Sequence, residues 1–132
     1  MALERVNPPS MPRPSGFSHA VVATGGRLVF LAGQIAHGPD GAIVGDTVAA
    51  QFERALANLL EALRAAGGAP EHLASLTIYA VDLADYRAHA REIGAVWRRL
   101  AGQEYPAMAA IGVSRLWEPS ALVEIQGHAV IG

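Results

Sequence analysis

The chain has 132 residues, 52% of them hydrophobic and 17% charged, with a net charge of −2 and no cysteine. A single domain of that length buries roughly two-thirds of its unfolded surface, and a mean hydropathy of +0.25 leaves apolar surface for contacts between subunits. This balance argues against a basic field for nucleic acid or an anionic membrane, and it excludes a disulfide framework and thiol chemistry.

The N-terminus lacks the apolar core of a signal peptide, and no run approaches the ~18 apolar residues of a membrane span, so a cytoplasmic enzyme or binding protein is expected. Ala2 to Val6 reads as a short strand stopped by Asn7-Pro8-Pro9, and Ser10 to Ser18 as an ordered loop or arm. His19 to Thr24 and Arg27 to Ala32 are β-rich runs either side of Gly25-Gly26, which predicts a hairpin. Gly38-Pro39-Asp40-Gly41 is a further turn. Asp46 or Thr47 caps a helix with the stripe Phe52, Leu56, Leu59, Leu60 and Leu63, leaving Gln51, Arg54, Asn58 and Glu61 to the surface.

Gly67-Gly68 and Pro70 end that helix. Leu73 to Val81 alternates as a strand, with Leu76, Ile78 and Ala80 on one face. A second helix begins at Asp82 or Asp85 and closes at Gly102. Its stripe is Tyr86, His89, Ala90, Ile93, Trp97 and Leu100, with Arg87, Arg91, Arg98 and Arg99 outside. Two strands complete the chain. Tyr105 to Val113 is apolar on both faces and reads as a central strand. Ala121 to Ile131 alternates Val123, Ile125, Gly127, Ala129 and Ile131 with Leu122, Glu124, Gln126, His128 and Val130.

The order β-β-β-α-β-α-β-β describes one α+β domain over residues 1–132, with two helices packed on one face of a mixed sheet. Two helices cover one face only. The other face, apolar at the strand from Ala107, should therefore meet another subunit.

Ser18-His19-Ala20-Val21, Leu31-Ala32-Gly33-Gln34-Ile35, Val81-Asp82-Leu83, Tyr105-Pro106-Ala107 and Leu122-Val123-Glu124-Ile125 stand in the order and spacing of the RidA/YjgF family. The chain resembles that family from about residue 3 to residue 131. The resemblance implies a chorismate-mutase-like fold, a homotrimer, and a small-molecule ligand in each of three clefts between subunits, with no metal or organic cofactor. The best-known members are 2-iminobutanoate/2-iminopropanoate deaminases; others are described as endoribonucleases or translation inhibitors.

The resemblance also assigns positions. Glu124 matches the glutamate that positions water. Met108 stands where the deaminases clamp the substrate carboxylate with arginine, Phe17 where the cleft wall has tyrosine, and Ala32 where serine precedes the Gly-Gln pair. Backbone groups of Gly33 and Ala110 orient the polar end of a ligand. Tyr86 supplies the aromatic after the Asp-Leu pair. Strand spacing, rather than the resemblance, sets Gln126 two residues beyond Glu124 on the same face, where it either joins Glu124 in a hydrogen-bond network or seals the trimer. Arginine offers a carboxylate a two-pronged donor and methionine offers none. Two charged hydrogen bonds at about 1.5–3 kcal/mol each amount to a loss of roughly a hundred-fold to ten-thousand-fold in binding. A substrate other than a 2-imino acid is therefore expected, in a cleft where Phe17, Met108 and Tyr86 enclose the ligand and Glu124 handles water and protons.

Other readings stand beside this one. The plainer reading of Glu124 is an exposed or subunit-bridging carboxylate, and a second function class is a non-catalytic small-molecule sensor or binding protein in which the cleft survives and turnover does not. Ribonuclease activity rests on family description alone, and the net charge argues against it. His128 lies four strand residues from Glu124, roughly 13 Å away, too far to pair with it; it and His19 read as structural, and His89 as a hydrogen-bonded core residue. The five histidines show no His-x-x-x-His helix pair, so no metal is expected. The four helix arginines read as a solvated face.

Overall fold

In the computed structural model, which describes residues 2–132, the chain is α+β as expected, with the strands divided between two sheets. Ala2–Val6 (β1) and Ala20–Thr24 (β2) form an antiparallel ribbon. Arg27–Gln34 (β3), Leu73–Ala80 (β4), Ala107–Gly112 (β5) and Val123–Ile131 (β6) form a mixed sheet in the order β3-β6-β4-β5. The helices are Val48–Ala65 (α1), Leu83–Ala88 (α2) and Ala90–Ala101 (α3).

The expected hairpin is corrected here. Gly25 and Gly26 do turn the chain through positive φ, 68° and 89°, but β2 pairs with β1 while β3 pairs with β6. The reason is burial. Val29 and Leu31 pack with the α1 core, which commits β3 to the large sheet, and Gly26 sits so close to the Ile131 carbonyl that any Cβ would overlap it. The Gly-Gly turn thus carries the chain from ribbon to sheet.

The strand from Ala107 is also corrected, from centre to edge. It runs parallel to β4, joined to it by the α2–α3 crossover that a parallel pair requires. Its free edge is capped by Ser18, whose N–H donates to the Pro106 carbonyl at 3.0 Å and whose hydroxyl donates to the Tyr105 carbonyl at 2.6 Å.

Thr47 caps α1, its hydroxyl accepting from the Ala50 N–H at 3.1 Å. Phe52, Leu56, Leu59, Leu60 and Leu63 are all at most 1% exposed, so the predicted stripe is the floor of the core. The second helix is two: it breaks at His89, whose φ of −108° and ψ of 19° leave helical geometry. His89 is therefore exposed rather than in the core. Its Nδ1 lies 2.9 Å from the Asp85 carbonyl and 3.2 Å from the Asp85 carboxylate. That backbone contact, followed by the nearby acid charges, raises its pKa from the usual 6.5.

Polar α1 residues read as surface also prove structural. Gln51 is 2% exposed; its amide donates to the Gly45 and Ser120 carbonyls at 3.1 and 3.2 Å and accepts from the Leu122 N–H at 2.8 Å. Asn58 and Arg54 donate to the carbonyls of Ile35 and His37. An amide on the core face is used to tie two loops and the entry to β6 onto one helix. Replacing it as Gln51→Leu strands those buried partners, and urea unfolding should register a loss of about 1–3 kcal/mol.

Candidate functional site

Strand register decides what the functional side chains can reach, because residues paired across a sheet share a face. Val123, Ile125 and Ala129 are fully buried against the helices, so Glu124, Gln126 and His128 point the other way. Tyr79 pairs with Glu124 and with Ile111; Thr77 pairs with Gln126 and with Ala109. On β3 the same face carries Leu28 and Phe30, 57% and 71% exposed, with Phe30 set edge-on to His128 at 5.3 Å.

Within this open apolar face the Glu124 carboxylate is half-buried against Gly33. The β3–β6 register shifts between Leu31 and Gln34, which brings Ala32 and Gly33 over the start of β6. A Cβ at position 33 would overlap the carboxylate. Glycine there is a requirement for Glu124 to occupy its place.

Met108 belongs to the opposite face. It pairs with Leu76, which is 2% exposed on the helix side, and packs against the core. Beside it opens a cavity of about 480 Å³ bounded by α2, α3, β4, β5 and the Ser15-Gly16 turn. Phe52 and Tyr86 meet edge-on at 6.3 Å, and Trp97 stacks on Tyr105 at 6.0 Å and 21°. Burial pushes the Tyr86 phenol up to about 12. Ala110 pairs with Ile78 on the same side but is exposed at the sheet edge.

The expected residues therefore form two groups: Ala32, Gly33, Glu124 and Gln126 on the open face, Tyr86, Met108 and Ala110 on the helix face. Within one chain Glu124 does not face Met108, because Glu124 registers with Tyr79 and Ile111 while Met108 registers with Leu76 and Gly127, on the alternate pleat. Phe17 joins neither group; it packs on His19 at 5.2 Å and borders a separate hollow of about 360 Å³ with Arg5, Arg13 and Glu104. His19 is held by the Pro12 carbonyl at 2.8 Å. His128 contacts the Ser75 hydroxyl at 3.0 Å.

Sequence reasoning missed three residues of the cavity wall: Trp97, Arg91 and Arg98. Their signal was available, since Arg91, Gly94 and Arg98 fall at i, i+3 and i+7 on one helix face. Among the described residues no group of three His, Asp or Glu side chains could hold a metal ion, and no helix is long and apolar enough to cross a membrane.

Residues 10–131 match the family described as endoribonuclease L-PSP. A RutC family protein of Pyrococcus abyssi is 31% identical over 131 residues, 98% of each chain. Among solved structures, the Rid-family protein YyfB of Yersinia pestis superposes with a TM-score of 0.89 at 37% identity, covering 99% of this chain and all of that one. E. coli TdcF with bound serine superposes at 0.71 and 26% identity, covering 91% of each.

The raised Tyr86 pKa has a direct consequence. The phenol is neutral when protonated, so the folded state holds its proton past the ordinary value of 10. That contribution to stability is complete below pH 10 and is lost as pH rises through about 12. An ultraviolet absorbance titration should show one tyrosine ionising near 12, and Tyr86→Phe should remove that step.

Proposed function

The chain belongs to the endoribonuclease L-PSP family, the RidA/YjgF proteins, and from that premise we propose that it is a small-molecule hydrolase of the imine/enamine deaminase class. It works as a homotrimer in clefts assembled from two protomers. One protomer supplies Glu124 with Gly33, Ala32 and Gln126; its neighbour supplies Met108, Tyr86 and Ala110. The substrate is an imine, enamine or related carbonyl compound with an apolar body.

One observation carries this reading: the two groups of family positions stand on opposite faces of one sheet. No side-chain rotation carries a glutamate through a sheet, so a common cleft requires two chains. The open face bearing Glu124 also exposes Leu28, Phe30 and Ile111, an apolar surface of the kind that subunit contacts cover.

The chemistry follows from the residue types. Glu124 as a carboxylate orients and deprotonates water for attack on the imine carbon; once protonated, it returns the proton to the departing amine. Its position against the bare Cα of Gly33 limits its motion, which favours a single line of attack. Met108 gives an incoming carboxylate no donor, so a short 2-imino acid lacks the two-pronged hold at that point.

Mixing variants tests the two-chain cleft. Co-assembled Glu124→Ala and Met108→Trp chains, each inactive alone on a panel of neutral imines, should regain about a quarter of the wild-type rate, because each mixed trimer contains one intact cleft. No recovery in verified mixed trimers would place the whole site within one chain. A second measurement concerns specificity. Freshly generated 2-iminopropanoate should be hydrolysed little faster than in buffer by the natural protein and faster by Met108→Arg. Rapid wild-type hydrolysis would show that the position of Met108 is not decisive.

A further inference from the structure

We infer that Arg91 and Arg98 make the cavity beside Met108 a receptor for an amphipathic carboxylate, its charged end held at the mouth and its apolar body against Met108 and Trp97. The inference deepens the proposed function by naming the ligand class, and it rests on that reading in taking this cavity as one half of the working cleft.

Charge is the first support. The cavity wall includes two guanidinium groups and no acidic side chain, in a chain whose net charge is −2. The neighbouring arginine of α3 is already engaged: Arg99 reaches the Glu53 carboxylate at 3.0 Å. Among the described residues Arg91 and Arg98 have no carboxylate within ion-pair distance. They are exposed, so they stand at the mouth, whereas Met108 and Trp97 are packed with the core beneath.

Helix geometry is the second. Seven residues span about 10.5 Å of helix axis, two turns, which sets Arg91 and Arg98 along one face. Gly94 lies between them and also borders the cavity. A glycine inside a helix costs about 1 kcal/mol relative to alanine. A Cβ there would meet the Arg98 Nη1 at 3.4 Å, an ordinary contact that alanine could make; the position shows only that this guanidinium lies back along the helix beside the cavity.

The interior is the third. A volume of about 480 Å³ falls in the range of small-ligand pockets. Trp97 is 4% exposed, and its indole N–H has no acceptor in the chain. That N–H is itself enclosed by the chain, so what the wall offers a ligand is apolar area. A carboxylate takes two parallel hydrogen bonds from one guanidinium, and a phenyl-sized group fits the space beneath.

The probes are 3-phenylpropanoate and its uncharged isostere 3-phenylpropanamide, with binding followed by calorimetry. The wild-type protein should prefer the acid by about tenfold or more, the preference falling with added salt. The Arg91→Ala/Arg98→Ala double variant should bind both equally. Arg87→Ala, on α2 and away from the cavity wall, should keep the preference and so excludes a general effect of charge. Equal wild-type affinity for acid and amide, no saturable binding of the acid, or a preference that survives the double variant would overturn the inference. Acid-selective binding without turnover leaves the inference standing and counts against the hydrolase reading. Turnover of neutral imines without acid selectivity does the reverse.

Discussion

The alternation of one strand governs the rest of the molecule. β6 buries every second residue from Val123 to Ile131 against the helices, and that burial fixes the register of β3 and β4 on either side of it. A slip of one residue would bury Glu124 and His128 and expose Ile125, at several kcal/mol for each buried charge and about 1.5–3 kcal/mol for each exposed aliphatic side chain. Because the register cannot slip, the carboxylate is committed to the face without helices and Met108 to the face with them. The placement of the two residue groups on opposite faces of one sheet is a consequence of core packing, not of any feature of the site itself.

The Gly33 region depends on the same strand. β3 leaves regular pairing between Leu31 and Gln34, at the point where the chain passes over Glu124. A register irregularity redirects the following backbone, and here it leads into the Ile35–His37 loop that Asn58 and Arg54 hold from α1. Helix, loop and bulge together set where the Gly33 backbone passes, and the absent Cβ sets how near Glu124 can approach. Polar residues on a helix can thus position a site that they never touch.

Local pattern made the helices and strands legible. The stripe of α1, the alternation of β4 and β6, and the glycines that end α1 and α3 all read from spacing alone. Pairing did not, because two β-rich runs joined by Gly25-Gly26 carry a hairpin signal whichever partner each strand finally takes. The choice was made by Val29 and Leu31, which pack against the α1 core and pair with Ala129 and Gly127 on β6, far along the chain. His89 misled for a related reason: its spacing suits a helix stripe, but the chain breaks there and turns the imidazole outward. Gln51 shows the converse, a polar residue whose burial only its distant carbonyl partners could reveal. At the site, the residue types were legible through resemblance, while the face each one occupies required the register.

The position of the positive charge separates this cavity from one built around an arginine on β5. A guanidinium at position 108 would start from the packed floor and would lose hydration there, which makes it costly unless a carboxylate arrives to pair with it. Arg91 and Arg98 approach from the rim and stay hydrated without a ligand, so their resting cost is small and so is the strength of each contact. Affinity must then come from the body of the ligand, through burial against Met108, Trp97 and Tyr86 at about 25 cal/mol per Å². A floor without charge beneath a cationic rim selects molecules that are apolar at one end and anionic at the other. Small acids offer too little area to fill it, and neutral apolar molecules forgo the rim.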